Sequence, residues 1–144
     1  MAGEGGSWQL CPTCREELPV TLANTRCPRC GDLLEVRHRA PELSGRALTD
    51  LFGARRGSRA PLDASGVWRF RELVFPDAGD DVVTHPEGNT PLLVRPTVSR
   101  WVGVHELSLK HEGHNPTGSF KDRGMTVGVT QARRVGARAI ACAS

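Results

Sequence analysis

Two Cys-Pro-x-Cys pairs, Cys11-x2-Cys14 and Cys27-x2-Cys30, stand 12 residues apart near the start of the chain. A two-residue gap lets both thiolates of a pair reach one ion, and two such pairs fill a tetrahedral S4 shell with bonds of about 2.3 Å. Gly31, directly after the second pair, suits the tight turn because it accepts positive φ without a Cβ clash; Arg15 holds that place in the first pair. The spacing predicts a structural Zn2+ on Cys11, Cys14, Cys27 and Cys30, within a small β zinc ribbon over residues 1–40. With every position taken by sulfur, such a site holds the fold and leaves no place for a reacting water. A redox dithiol or plain buried thiols are the competing readings. His38 lies close in sequence but reads as a surface histidine, and Cys142 reads as a core residue.

Composition narrows the setting. Of the 144 residues, 38% are apolar and 24% charged, and no run approaches the roughly 18 apolar residues of a membrane span. Met1 to Leu10 lacks the basic and apolar regions of a signal peptide, so a cytoplasmic location and reduced cysteines are expected. A net charge of +3 is too small for an electrostatic footprint on nucleic acid. Arg55, Arg56 and Arg59 form the densest basic cluster and read as a solvated loop before a phosphate contact. Arginine outnumbers lysine 17 to 2, so Lys110 and Lys121 alone offer a primary side-chain amine.

Residues 41–103 form a connecting segment rich in Pro, Gly and Arg. Ser44 is placed to cap a short helix that buries Leu48, Leu51 and Phe52 and ends at Gly53. A second short helix is expected after Ser65, with Val67, Phe70 and Val74 on one face before Pro76. Residues 104–144 change character. Leu107 to Lys110 alternates as a strand does, Gly113 to Gly118 is rich in turn formers, and Ser119 to Val135 has a helical pattern closed by Gly136. Ala139 to Ala143 is a small-apolar run suited to a strand covered on both faces. Strand, helix and strand predict a right-handed parallel crossover in an α/β fold. Ligands of open α/β sheets lie beyond the carboxyl ends of the strands, so the sequence is expected to stop where a binding loop begins.

The chemistry concentrates in Asn115-Pro116-Thr117-Gly118-Ser119-Phe120-Lys121-Asp122-Arg123-Gly124. Turn-forming residues lead into a helix with Lys121 in its first turn, among free backbone N–H groups whose dipoles oppose further positive charge. From the bare pattern, a Schiff-base amine and an ordinary solvated lysine are equally good readings. Lys110, in the strand before it, lacks such a turn.

This run resembles the cofactor-lysine motif of fold-type II pyridoxal-phosphate enzymes, and in its Thr117 to Gly124 form it is most similar to the threonine synthase family. Glu87-Gly88-Asn89-Thr90-Pro91-Leu92-Leu93 and Ser65-Gly66-Val67-Trp68-Arg69-Phe70-Arg71-Glu72-Leu73 are similar to further segments of that family, some of whose members carry a four-cysteine zinc ribbon. The resemblance covers nearly the whole chain.

It implies a zinc ribbon followed by the first part of a fold-type II enzyme, with residues 104–144 opening the cofactor-binding domain. Lys121 would carry pyridoxal 5'-phosphate as a Schiff base and act as acid and base, with Asn115 and Ser119 shaping the cofactor loop. Ser144 would open a Ser-Thr-Gly-Asn loop and approach the substrate carboxylate. The implied reaction converts O-phospho-L-homoserine and water to L-threonine and phosphate, a lyase step in threonine biosynthesis. The 144 residues by themselves are expected to be inactive, and a homodimer is left open for a full-length protein. Arg123 is the nearest candidate for the substrate phosphate, its first reading being a structural ion pair. A threonine dehydratase or cysteine-synthase-like enzyme would share Lys121. A non-catalytic zinc-ribbon binding module is the alternative from another class.

Overall fold

A computed structural model describes residues 5–142. Strands β1 (Ser7–Leu10), β2 (Glu17–Pro19) and β3 (Glu35–His38) form an antiparallel sheet in the order β2-β1-β3. Gln9 of the central strand is opposite both Leu18 and Val36, and its amide donates to the Leu22 carbonyl at 2.7 Å. Cys11 and Cys14 sit in the turn between β1 and β2, and Cys27 and Cys30 in a turn closed by the separate Arg26–Leu33 bridge.

Helix α1 (Gly45–Arg56) begins where the sequence indicates, with the Ser44 hydroxyl accepting the Ala47 N–H at 3.3 Å. It runs through Gly53 and stops at Gly57. Glycine weakens a helix interior by only about 1 kcal/mol, and the last turn is held from outside. Arg55 donates to Glu72 at 2.7 Å and lies 3.7 Å from Asp63, and Arg71 donates to Asp63 at 2.9 Å. These pairs fasten α1 to α2 (Pro61–Ala64) and α3 (Arg71–Val74). Leu48, Leu51 and Phe52 are half-buried, with Phe52 edge-on to Phe70 at 4.9 Å. After Ser65, a 3-10 turn over Trp68–Phe70 precedes α3, and the Ser65 hydroxyl accepts the N–H groups of Val67 and Trp68.

Val20, Trp68, Phe75 and Ala78 form the core, so the ribbon and the middle of the chain share one apolar centre. His38 belongs to that junction. It is half-buried, hydrogen-bonded to the Ser7 hydroxyl at 2.9 Å and 6.0 Å from the Phe75 ring, and burial pushes its pKa down. The expected surface histidine is therefore a packing residue.

Strands β4 (Leu92–Val94) and β5 (Ser108–Lys110) pair antiparallel around helix α4 (Pro96–Val102), with Leu93 opposite Leu109. Helix α5 (Asp122–Arg134) follows a turn-rich loop. The expected parallel crossover is not formed: among the described residues every paired strand is antiparallel, and residues 139–142 carry no strand. A strand exists through its neighbour's hydrogen bonds, and no described strand pairs with this one. Ile140 is 49% exposed and Cys142 is exposed, which corrects the expectation of a buried cysteine.

Candidate functional site

The four cysteines converge. Their Sγ atoms all lie within 4.8 Å of one another, with Cys11 to Cys30 and Cys14 to Cys27 each at 3.5 Å. Bonds of 2.3 Å to a tetrahedral ion separate sulfurs by about 3.8 Å, so the cluster fits a zinc-sized cation. Two turns of the same design build it. The Arg15 N–H donates to the Cys11 carbonyl at 3.0 Å, and the Gly31 N–H donates to the Cys27 carbonyl at 2.9 Å. Arg15 has φ 62° and Gly31 φ 80°, so the arginine adopts the left-handed turn that glycine takes more easily. The sulfurs are electrostatically unequal. The Cys14 N–H helps hold the Cys11 thiol down to about 7. At Cys14 the Glu16 N–H favours the thiolate, but burial and the neighbouring sulfurs prevail and push the thiol up to about 12. Deprotonated together, four sulfurs this close would repel one another, so the cluster could hold a metal ion.

Lys121 stands at the N-cap of α5, exposed, with φ −62°. The loop before it is closed locally. Gly118, at φ 76°, donates its N–H to the Asn115 carbonyl at 2.8 Å, and the Ser119 hydroxyl accepts the Lys121 N–H at 3.2 Å. Asp122 reaches back to accept the Thr117 N–H at 2.8 Å and the Thr117 hydroxyl, contacts that hold its carboxyl below the usual range.

The loop is also fixed from behind. Asn115 is buried; its side-chain carbonyl accepts the Gly88 N–H at 2.9 Å, and its amide donates to the Glu112 carbonyl and carboxylate at 2.8 and 3.0 Å. Glu112 takes two bonds from Arg123, at 2.8 and 2.9 Å, and one from the Thr90 hydroxyl at 2.7 Å. Arg123, foremost, and then Thr90 hold the Glu112 carboxyl down to about 2. Arg123 is thus a structural ion pair.

Gly88 in turn lies against Gly66. A Cβ on Gly66 would fall 2.2 Å from the Asn89 nitrogen, and one on Gly88 would fall 2.7 Å from the Gly66 Cα. Glu87, 1% exposed, accepts from Ser65, Thr84 and the His85 N–H. Burial alone would raise its pKa, but those hydrogen bonds outweigh it and lower the value. Further along α5, Thr126 and Thr130 grip Val83: Trp68 Nε1 donates to Thr126 and to the Val83 carbonyl at 3.0 Å, and the Val83 N–H donates to Thr130 at 2.9 Å. The three segments singled out in the sequence, 65–73, 87–93 and 115–124, therefore meet in one place.

Lys110 donates to the Thr90 carbonyl from β5. Ser144 lies outside the described residues. Glu112 and its bonds to Arg123 and Asn115 were missed in the sequence. Eleven residues separate Glu112 from Arg123 with no helical or strand spacing to link them, and the acidic residue three places before Asn115 is the only local sign.

Residues 83–144 match the family model for pyridoxal-phosphate dependent enzymes. That segment, which contains Lys121 and its whole loop, is similar to this class of enzyme. The relatives are threonine synthases. The chain is 37% identical over 136 residues to that of Methanocaldococcus jannaschii, covering 94% of this chain and 31% of the relative. It is 35% identical over 134 residues to that of Methanosarcina acetivorans, covering 93% and 30%. Over 68 residues it is 56% identical to that of Mycobacterium leprae, covering 46% and 19%. The chain is a threonine synthase relative that spans about a third of the length of the first two proteins. No helix among the described residues is long and apolar enough to cross a membrane.

Proposed function

We propose that the chain is the lysine-bearing part of an enzyme that converts O-phospho-L-homoserine and water to L-threonine and phosphate, with a structural Zn2+ on Cys11, Cys14, Cys27 and Cys30. The observation that carries this reading is the exposed Lys121 at the start of α5, on a loop braced by Asn115 and Gly88. Pyridoxal phosphate, when bound, supplies an electron sink that makes the substrate α-proton acidic. Lys121 is the residue that would hold it.

The remaining roles fall to the surrounding side chains. Ser119 and Asp122 set the path of the loop, so the Lys121 amine is presented from a fixed backbone rather than a mobile one. Positioning of that kind contributes to rate by keeping the amine where a proton must be taken up and returned. Asn115 acts through the loop, since its amide and carbonyl are both engaged within the protein. The cysteine cluster stiffens the ribbon packed beside α5, which the Gln131 amide joins by donating to the Val20 carbonyl.

The test is phosphate release from O-phospho-L-homoserine with formation of L-threonine, by a chain extended to the length of its relatives. Turnover of L-threonine or O-acetyl-L-serine instead would assign it to another fold-type II activity. The 144 residues assayed alone are expected to release little phosphate, because they span about a third of the relatives.

A further inference from the structure

The two cysteine turns are each closed within themselves. In the first, the Cys11 N–H donates to the Glu16 carbonyl at 2.9 Å; in the second, the Cys27 N–H donates to the Asp32 carbonyl at 2.7 Å. Among the described residues no backbone hydrogen bond runs from one turn to the other. Yet each close sulfur pair takes one member from each turn, Cys11 with Cys30 and Cys14 with Cys27, so the four-sulfur shell exists only while the turns stay together.

Besides the sulfurs, polar side chains span that gap in two places among the described residues. Arg29 lies 3.5 Å from Glu16, a surface ion pair of two long side chains that contributes little. The other is a hydrogen bond from the Thr13 hydroxyl to the Asp32 carboxylate, across 19 residues of sequence. Its acceptor is already fixed: the second carboxylate oxygen accepts the Leu33 N–H at 2.8 Å, and the Asp32 carbonyl closes the second turn. Both side chains are short, so ordering them costs less entropy than ordering Arg29 and Glu16. The bond also stands on the open side of the cluster. Thr13, Cys30 and Asp32 are exposed, whereas Cys11 and Cys27 are buried, so an ion leaving the sulfurs departs past this bond.

We infer that the Thr13–Asp32 hydrogen bond is a latch between the two cysteine turns, keeping the four sulfurs at metal-binding separation and slowing release of the ion. The inference rests on the reading of the cluster as a zinc site. Thr13 and Asp32 are positioning residues: the metal-capable group consists of the four cysteines, and neither of the two supplies a ligand atom. Outer partners bonded to a metal ligand alter metal affinity by about 10–100-fold, and a bond between exposed side chains one step further out belongs below that range.

Transfer of Zn2+ from the loaded 144-residue chain to excess chromogenic chelator measures the release rate. Thr13→Val keeps the side-chain shape without the donor and should release zinc about fivefold faster, whereas Thr13→Ser, which keeps the hydroxyl, should stay within about twofold of the parent. Asp32→Ala should also release zinc faster, and Thr13→Val should add nothing to it, because the two substitutions remove one bond. Thr13 is exposed, so its variants should keep the parent's circular dichroism. Cobalt-loaded parent and Thr13→Val should share one visible absorption spectrum, since the four sulfur ligands are unchanged. One Zn2+ per chain with a parental rate in Thr13→Val, equal acceleration in Thr13→Ser, additive effects in the double variant, or an altered cobalt spectrum would overturn the latch alone. A parent chain without stoichiometric zinc would overturn the zinc reading, and the latch with it.

Discussion

Asn115 accepts the Gly88 N–H at 2.9 Å across 27 residues of sequence, and through that bond the lysine loop is held by a segment that contributes no reactive group of its own. The same side chain donates twice to Glu112, so one buried amide serves the loop, the Gly88 turn and the Glu112–Arg123 pair. Asn115→Ala leaves the Gly88 N–H and part of Glu112 without partners. A loss of about 2 kcal/mol is expected, measured by urea unfolding of the zinc-loaded chain, and Asn115→Asp should recover little because a carboxylate would face Glu112.

The contact between Gly66 and Gly88 tolerates no side chain. Gly66→Ala forces a Cβ to within 2.2 Å of the Asn89 nitrogen and should cost about 3 kcal/mol or more through backbone displacement. Gly53→Ala provides the contrast. Nothing lies within 4 Å of its added Cβ in the middle of α1, and it should gain about 0.5–1 kcal/mol. Thermal unfolding of the two variants side by side reads both signs.

Glu112 gives stability a pH dependence with a defined direction. Its carboxyl is held at about 2 in the folded chain, below its unfolded value of about 4.3, so the unfolded state binds the extra proton between them. The stabilisation is complete above the unfolded value and is lost as pH falls through the folded one. Glu112→Gln should therefore be less stable than the parent at neutral pH, and the difference should shrink as pH falls from about 4.5 to 2. Unfolding midpoints across that range measure it.

Zinc should be part of the fold. One Zn2+ per chain is expected by elemental analysis, and a chelator should lower the unfolding midpoint and release the ribbon from proteolytic protection. Cys14→Ser should abolish stoichiometric zinc. Arg15→Gly should keep zinc and gain up to about 1 kcal/mol, because the turn at φ 62° suits glycine better than arginine.

Much of this site was legible because it is local. Ser44 caps α1, the cysteine pairs build two turns of one design, and Asn115 to Lys121 forms a loop that enters a helix, as their short-range patterns require. What stayed hidden depends on distant partners. Trp68 finds Thr126 across 58 residues, and Glu112 selects Arg123 among 17 arginines, and neither choice leaves a periodic trace. The parallel crossover failed for the same reason: the apolar run from Ala139 satisfies a strand's composition, but pairing is settled by a neighbour that composition does not name. Arg15 shows the converse, where an unfavourable residue still takes the left-handed turn that Gly31 takes after the second cysteine pair.

Whether Lys121 is the cofactor lysine is decided by chemical trapping. Pyridoxal phosphate is added to the chain extended to the length of its relatives, the adduct is reduced with borohydride, and the digest is mapped by mass spectrometry. The label is expected on the peptide containing Lys121, with Lys110 unmodified and Lys121→Ala unlabelled. A label on Lys110, or equal labelling of the Lys121→Ala variant, would contradict the assignment.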